Sequence, residues 1–154
     1  MNCKIVRTAL TVIFTTSLIA SFTARAHASE QCSLERAAGK WSFTDGGTFI
    51  NIGPETAVGV FELDGAGNLQ NGLATHSLNG TIADETFSGT YTVNPNCTGT
   101  LSVKIFASGV ELFAAQLNIV FDDDTKQIRG VFTSIVEPSG TALPAVIGLE
   151  GKKQ

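Results

Sequence analysis

From Gly39 to the C-terminus, apolar and polar residues alternate with a period of two, and clusters of turn-forming residues break the alternation at short intervals. Period two is the mark of a β-strand with one buried and one wet face, because successive side chains point to opposite sides of a sheet. The segment from Phe87 to Leu101 shows it most cleanly. Phe87, Gly89, Tyr91 and Val93 fall on one side and Thr86, Ser88, Thr90 and Thr92 on the other, before Asn94-Pro95-Asn96-Cys97 reverses the chain. Pro95 presets φ for the first central turn position, and Asn tolerates the conformations around it.

The same reading predicts eight strands. The first starts at Trp41 and Phe43, is interrupted at Asp45-Gly46-Gly47 and resumes over Thr48–Ile52, where Gly53-Pro54 breaks it. The second spans Ala57–Leu63, the third Leu69–Leu78, and the fourth Thr81–Val93 with a bulge near Asp84-Glu85. The fifth covers Gly99–Ala107, and the sixth, Val110–Phe121, carries Phe113, Ala115, Leu117, Ile119 and Phe121 in strict alternation. Ile128–Val136 and Leu143–Leu149 are the seventh and eighth, and Glu30–Ala38 is a short helical turn or lead-in. Asn79-Gly80 is a strong hairpin signal, since a type I′ turn needs positive φ twice. Ser108-Gly109 and Asp64-Gly65-Ala66-Gly67-Asn68 read as further turns.

Tight hairpins without a helical period predict an all-β fold: an eight-stranded antiparallel up-and-down β-barrel, calycin-like. Closure removes the exposed sheet edges. A two-sheet β-sandwich is the alternative, but it calls for long Greek-key connections, of which this chain has few. Eight strands make a barrel that is filled by side chains or holds one small ligand.

The N-terminus changes the picture of compartment. Lys4 and Arg7, the apolar stretch Ala9 to Phe22 and Ala26-His27-Ala28 predict a secretory signal peptide over residues 1–28, leaving one barrel domain at 29–154. Thr and Ser dilute the stretch, which falls short of the roughly 20 apolar residues of a spanning helix, so no membrane span is expected in the mature chain. Lys4, Arg7 and Arg25 lie in the signal and all 14 acidic residues beyond it, which leaves seven basic residues against 14 acidic ones, a net charge of −7. Such a domain, without a basic run, is no nucleic-acid binder. Cys3 leaves with the signal. Cys32 and Cys97 remain, and an even pair in an exported chain reads as a disulfide, worth on the order of 4 kcal/mol in the chain-entropy model. The expected location is secreted or periplasmic.

Candidate chemistry is sparse. His76 is the only histidine past the signal and reads as a partly exposed strand residue, with no nucleophile elbow to serve it. Neither a metal nor a cofactor is expected, because zinc needs three protein ligands and calcium several oxygens at fixed spacing. Asp64 reads as the cap of an Asx-type turn and Asp122-Asp123-Asp124 as a solvated tip. Among acids within strands, Glu62 opposes Phe61 and Leu63 and faces out, whereas Glu111 shares parity with Phe113 and Leu117 near the strand's mouth. An acid facing an apolar interior has a raised pKa and becomes an acid–base candidate.

Gly39-x-Trp41-x-Phe43, Asp64-Gly-x-Gly-Asn68 and Gly89-Thr-Tyr-Thr-Val-Asn-Pro-Asn-Cys-Thr-Gly-Thr100 together resemble a group of small secreted bacterial proteins of unassigned function. Gly39-Lys40-Trp41 also resembles the Gly-x-Trp start of lipocalins, and the barrel as a whole is similar to calycin-type and allene-oxide-cyclase-like barrels. These resemblances imply a secreted barrel and carry over no catalytic residue.

The leading expectation is a disulfide-stabilised β-barrel that binds a small apolar molecule, with Phe61, Tyr91, Phe113 and Leu117 as interior candidates and Gly59, Gly89 and Ala115 as small inward residues that would leave space. The rivals are a structural or interaction protein of the cell envelope and a barrel-type cyclase or isomerase, the latter using Glu111 with Tyr91 or Asn118. Enzyme activity is the least favoured. Function is expected inside the barrel or at the mouth opposite the cysteines.

Overall fold

A computed structural model describes residues 32–122 and 124–154. The signal peptide expected over residues 1–28 lies outside the described residues. Eight antiparallel strands follow in chain order: β1 (Gly39–Phe49), β2 (Gly53–Leu63), β3 (Asn68–Leu78), β4 (Thr81–Tyr91), β5 (Thr98–Ala107), β6 (Val110–Phe121), β7 (Gln127–Val136) and β8 (Ala145–Lys153), preceded by a short helix, α1 (Leu34–Ala37). Each strand pairs with its sequence neighbour, and β1 pairs with β8 from Trp41↔Lys153 to Phe49↔Ala145. The sheet is closed. A sandwich would leave edges, and here none remains.

The turn chemistry acts as read. Asn79 and Gly80 have φ of 48° and 84°, and Ser108 and Gly109 have φ of 50° and 79°, the type I′ signs that match strand twist. At the β4–β5 turn the Cys97 N–H donates to the Asn94 carbonyl at 2.9 Å, with Cys97 itself at φ 65°. Asp64 caps its own turn, accepting from the Ala66 and Asn68 N–H groups at 2.9 and 2.8 Å, as an Asx turn does.

Strand β1 runs without interruption through Asp45-Gly46-Gly47 and stops at Phe49, short of the expected Ile52. The glycine there is a packing device: a Cβ on Gly47 would collide with the Val146 carbonyl of β8. Gly53 and Pro54 open β2 instead of breaking a strand, Pro54 standing at the rim opposite Thr48. The expected bulge near Asp84-Glu85 is absent. The register instead shifts in β3, between Leu69 and Gly72, where Asn71 takes φ 54°. Further shifts fall in β2 between Val60 and Glu62 and where β6 meets β5 and β7. Bulges of this kind bend strands, which closure requires.

One end is sealed. Cys32 and Cys97 form a disulfide, with Cα atoms 5.1 Å apart, that ties the lead-in to the β4–β5 turn. It holds α1 across the barrel, where Ala37 and Trp41 are completely buried. The Trp41 Nε1–H donates to the Ala37 carbonyl at 2.9 Å, and the Tyr91 hydroxyl lies 2.6 Å from the Asp64 carbonyl and 3.0 Å from that of Leu34. Lys153 Nζ closes the far side with a 2.8 Å bond to the Arg36 carbonyl.

Candidate functional site

Above this plug an aromatic tier spans the barrel. Trp41 stacks on Phe61 with centroids 6.3 Å apart, and Phe61, Phe43 and Phe87 meet one another at 5.6 to 6.2 Å. Beyond the tier lies a cavity of about 210 Å³ that reaches toward the rim, where Phe49 and Phe113 face each other at 6.3 Å. An apolar cavity of roughly 150 Å³ is known to hold benzene, so this one accommodates a molecule of one or two rings. The walls from β5 to β8 are apolar throughout, built from residues such as Leu101, Val103, Leu117, Ile135 and Ile147.

The wall from β1 to β4 is different. Asp45, Glu55, His76 and Glu85, one from each of the four strands, line the same cavity. Register brings them together: Asp45 pairs with Ala57, Ala57 with His76, His76 with Ala83, and Ala74 with Glu85. Alanine across from Asp45, His76 and Glu85, and Gly47 across from Glu55, leave room for these side chains, and diagonal neighbours on one sheet face lie within reach of each other. His76 Nδ1 approaches Glu85 Oε1 to 2.8 Å, without aligning its N–H on that oxygen. Asp45 and Glu55 sit close enough to share a hydrogen bond once one of them is protonated. Three carboxyl oxygens, Asp45 Oδ1, Glu55 Oε2 and Glu85 Oε1, are buried with no hydrogen-bond partner. Such groups are uncommon, since burying a polar atom unpaired costs about 1–3 kcal/mol.

Burial governs the proton affinities. Loss of solvent, the charge of Asp45 and the hydrogen bond with it push Glu55 up to about 8. Desolvation also raises Asp45 and Glu85, against the opposing pull of the Asp45–Glu55 hydrogen bond in the first case and of His76 in the second. Near neutral pH Glu55 therefore keeps its proton. Among the described residues no Lys or Arg lines the cavity.

The residues expected from the sequence divide. Phe61, Phe113 and Leu117 stand on the cavity wall, whereas Tyr91 lies in the plug with its hydroxyl on backbone carbonyls. Desolvation, with the charges of Asp64 and Glu35, raises Tyr91 to about 12, which removes it from acid–base work near neutrality. Glu111 is not inward. The shift at Ile105/Phe106 places Leu112 as an extra residue, so parity changes between Glu111 and Phe113, and Glu111 pairs with Lys104 at 2.9 Å. Asn118 is exposed on the outer face. Gly59 leaves no space either, because Phe43 fills it: a Cβ there would lie 2.7 Å from Phe43 Cε1 and collide with the Leu73 carbonyl. Gly89 likewise lets the Ser102 carbonyl approach, and the small residues that do line the cavity are Ala57 and Ala74. His76, expected as a partly exposed strand residue, is one, its side chain 15% exposed, and it also lines the cavity.

The four polar residues were missed although a signal existed. Asp45 keeps the parity of Trp41 and Phe43, Glu55 that of Phe61 and Leu63, and Glu85 that of Phe87 and Tyr91.

No family model matches the chain, and neither does any curated protein. Solved structures do. A barrel described as EF1p2_mFAP2b bound to DFHBI superposes with a TM-score of 0.57 at 16% identity, covering 82% of this chain and 100% of its own. A redesigned β-barrel, mFAP1, also bound to DFHBI, gives 0.51 at 16% identity, covering 79% and 98%. These likenesses establish the barrel fold.

Proposed function

We propose that this barrel binds a small, largely apolar molecule in its interior and acts outside the cytoplasm. The observation that carries the reading is the cavity of about 210 Å³, apolar from β5 to β8 and closed below by the aromatic tier. A structural barrel calls for a filled interior, so the cavity favours binding over the envelope-structural role that the sequence also allowed. Barrels of the same fold bound to DFHBI are in keeping with it. The disulfide suits an oxidising compartment, in line with the signal-like N-terminus and the resemblance to small secreted bacterial proteins. Organic extracts of protein purified from its native compartment, analysed by mass spectrometry, are expected to contain one stoichiometric small molecule. A protein that yields none, and whose melting temperature no small apolar compound raises, would overturn the proposal.

Inward carboxyls of raised proton affinity beside a histidine also favour a second reading, proton transfer on the bound molecule by Asp45 and Glu55. The two readings part in heavy water. A carrier returns its molecule with no deuterium at carbon, whereas an isomerase returns it deuterated there.

A further inference from the structure

The cavity's polar wall has no use in holding a purely apolar guest. Three carboxyl groups on three different strands line one apolar chamber to which, among the described residues, no Lys or Arg contributes. Glu85, only 9% exposed, is aimed into it. A primary ammonium carries three N–H donors and no acceptor, which suits an acidic, acceptor-rich wall in sign. A hydroxyl offers one donor, and a carboxylate guest offers none and adds repulsion.

We propose that the guest is an organic cation: a protonated primary amine on an apolar body of one or two rings, its ammonium held by Asp45, Glu55 and Glu85. The apolar body lies against the β5–β8 wall, and the ammonium takes the place of the proton that the Asp45–Glu55 pair holds when empty. The exchange balances, since one ammonium enters and one proton leaves. His76 stays beside Glu85. The titratable groups facing the site are Asp45 from β1, Glu55 from β2, His76 from β3 and Glu85 from β4, and β5 to β8 add no charge among the described residues.

This rests on the binding reading above, and a matched probe series separates the two. Titration calorimetry at pH 7 with 2-phenylethylamine, 2-phenylethanol and 3-phenylpropanoate compares cation, neutral isostere and anion in one shape. The amine is expected to bind about tenfold or more tightly than the alcohol, the scale of a charge-assisted hydrogen bond, and the anion most weakly. Runs in two buffers of different ionisation heat are expected to show proton release with the amine alone. The Asp45→Asn/Glu55→Gln double variant is expected to bind amine and alcohol equally, with Glu62→Gln on the outer wall as the unchanged control. Equal affinity of amine and alcohol for the wild-type protein would overturn the cation assignment and leave the cavity reading standing. Binding of none of the three would overturn both. The wild-type comparison needs no variant to fold.

Discussion

The two ends of the barrel are built on the same alternation and treat polarity in opposite ways. At the plugged end Trp41 and Tyr91 are buried whole, and their polar atoms meet the backbone carbonyls of Ala37, Asp64 and Leu34. At the cavity end three carboxyl groups, Asp45, Glu55 and Glu85, are buried together, with one another and His76 as neighbours. The first arrangement maximises what burial and hydrogen bonding return to stability. The second gives some of that up, as sites built to receive a partner do. The comparison separates the part of the chain that holds the fold from the part free to do something else.

Trp41→Ala is expected to break the stable end most, by about 3–5 kcal/mol, because a fully buried indole leaves a cavity at the plug. Urea denaturation reads it directly, and a loss below about 1 kcal/mol would show the plug to be dispensable. Removing the disulfide with paired Cys32→Ser and Cys97→Ser is expected to cost about 2–4 kcal/mol, seen as a lower melting temperature that a reductant no longer changes. Tyr91→Phe takes away one buried hydroxyl and is expected to cost about 1–2 kcal/mol. At the other end Glu55→Gln is expected to stay within about 1 kcal/mol of the parent, since near neutral pH it replaces one uncharged group of similar shape by another. If Glu55→Gln cost as much as Trp41→Ala, the contrast between the ends would fail.

The pH dependence sharpens the same contrast. Glu55 is raised from 4.5 to about 8, so the folded protein holds a proton that the unfolded chain has already released. Its stabilising effect is complete below about 4.5 and is lost as pH climbs to about 8. Asp45 and Glu85 shift in the same direction. Thermal melts from pH 5 to 8 are expected to show falling stability, with a shallower slope in Glu55→Gln.

What the sequence disclosed follows from how far each signal travels. Strand β6 was legible to the residue, Val110–Phe121, because strict alternation ran between two clear turns. The turns at Asn79-Gly80 and Asp64–Asn68 were legible because their chemistry is local. Gly53-Pro54 misled, since at a barrel rim Pro loses no ladder bond. Glu111 misled because one bulged residue reverses parity, and bulges are set by the partner strand. The Asp45–Glu55–His76–Glu85 wall stayed hidden for another reason. Alternation puts all four inside, but charge places such residues outside by default. What makes them a site is the lateral register of four strands, which no local pattern records.

Closure by β1 and β8 carries a consequence for the order of assembly. Trp41 pairs with Lys153, at the opposite end of the described chain, so the ladder edge of β1 stays open until the last strand is made. Every other strand can zip to its predecessor as it appears. A pairing of that span closes late and slowly, and until then the nascent sheet offers an edge to other chains. Both cysteines of the latch precede β8 in the chain, so the covalent tie itself requires nothing of the final seam.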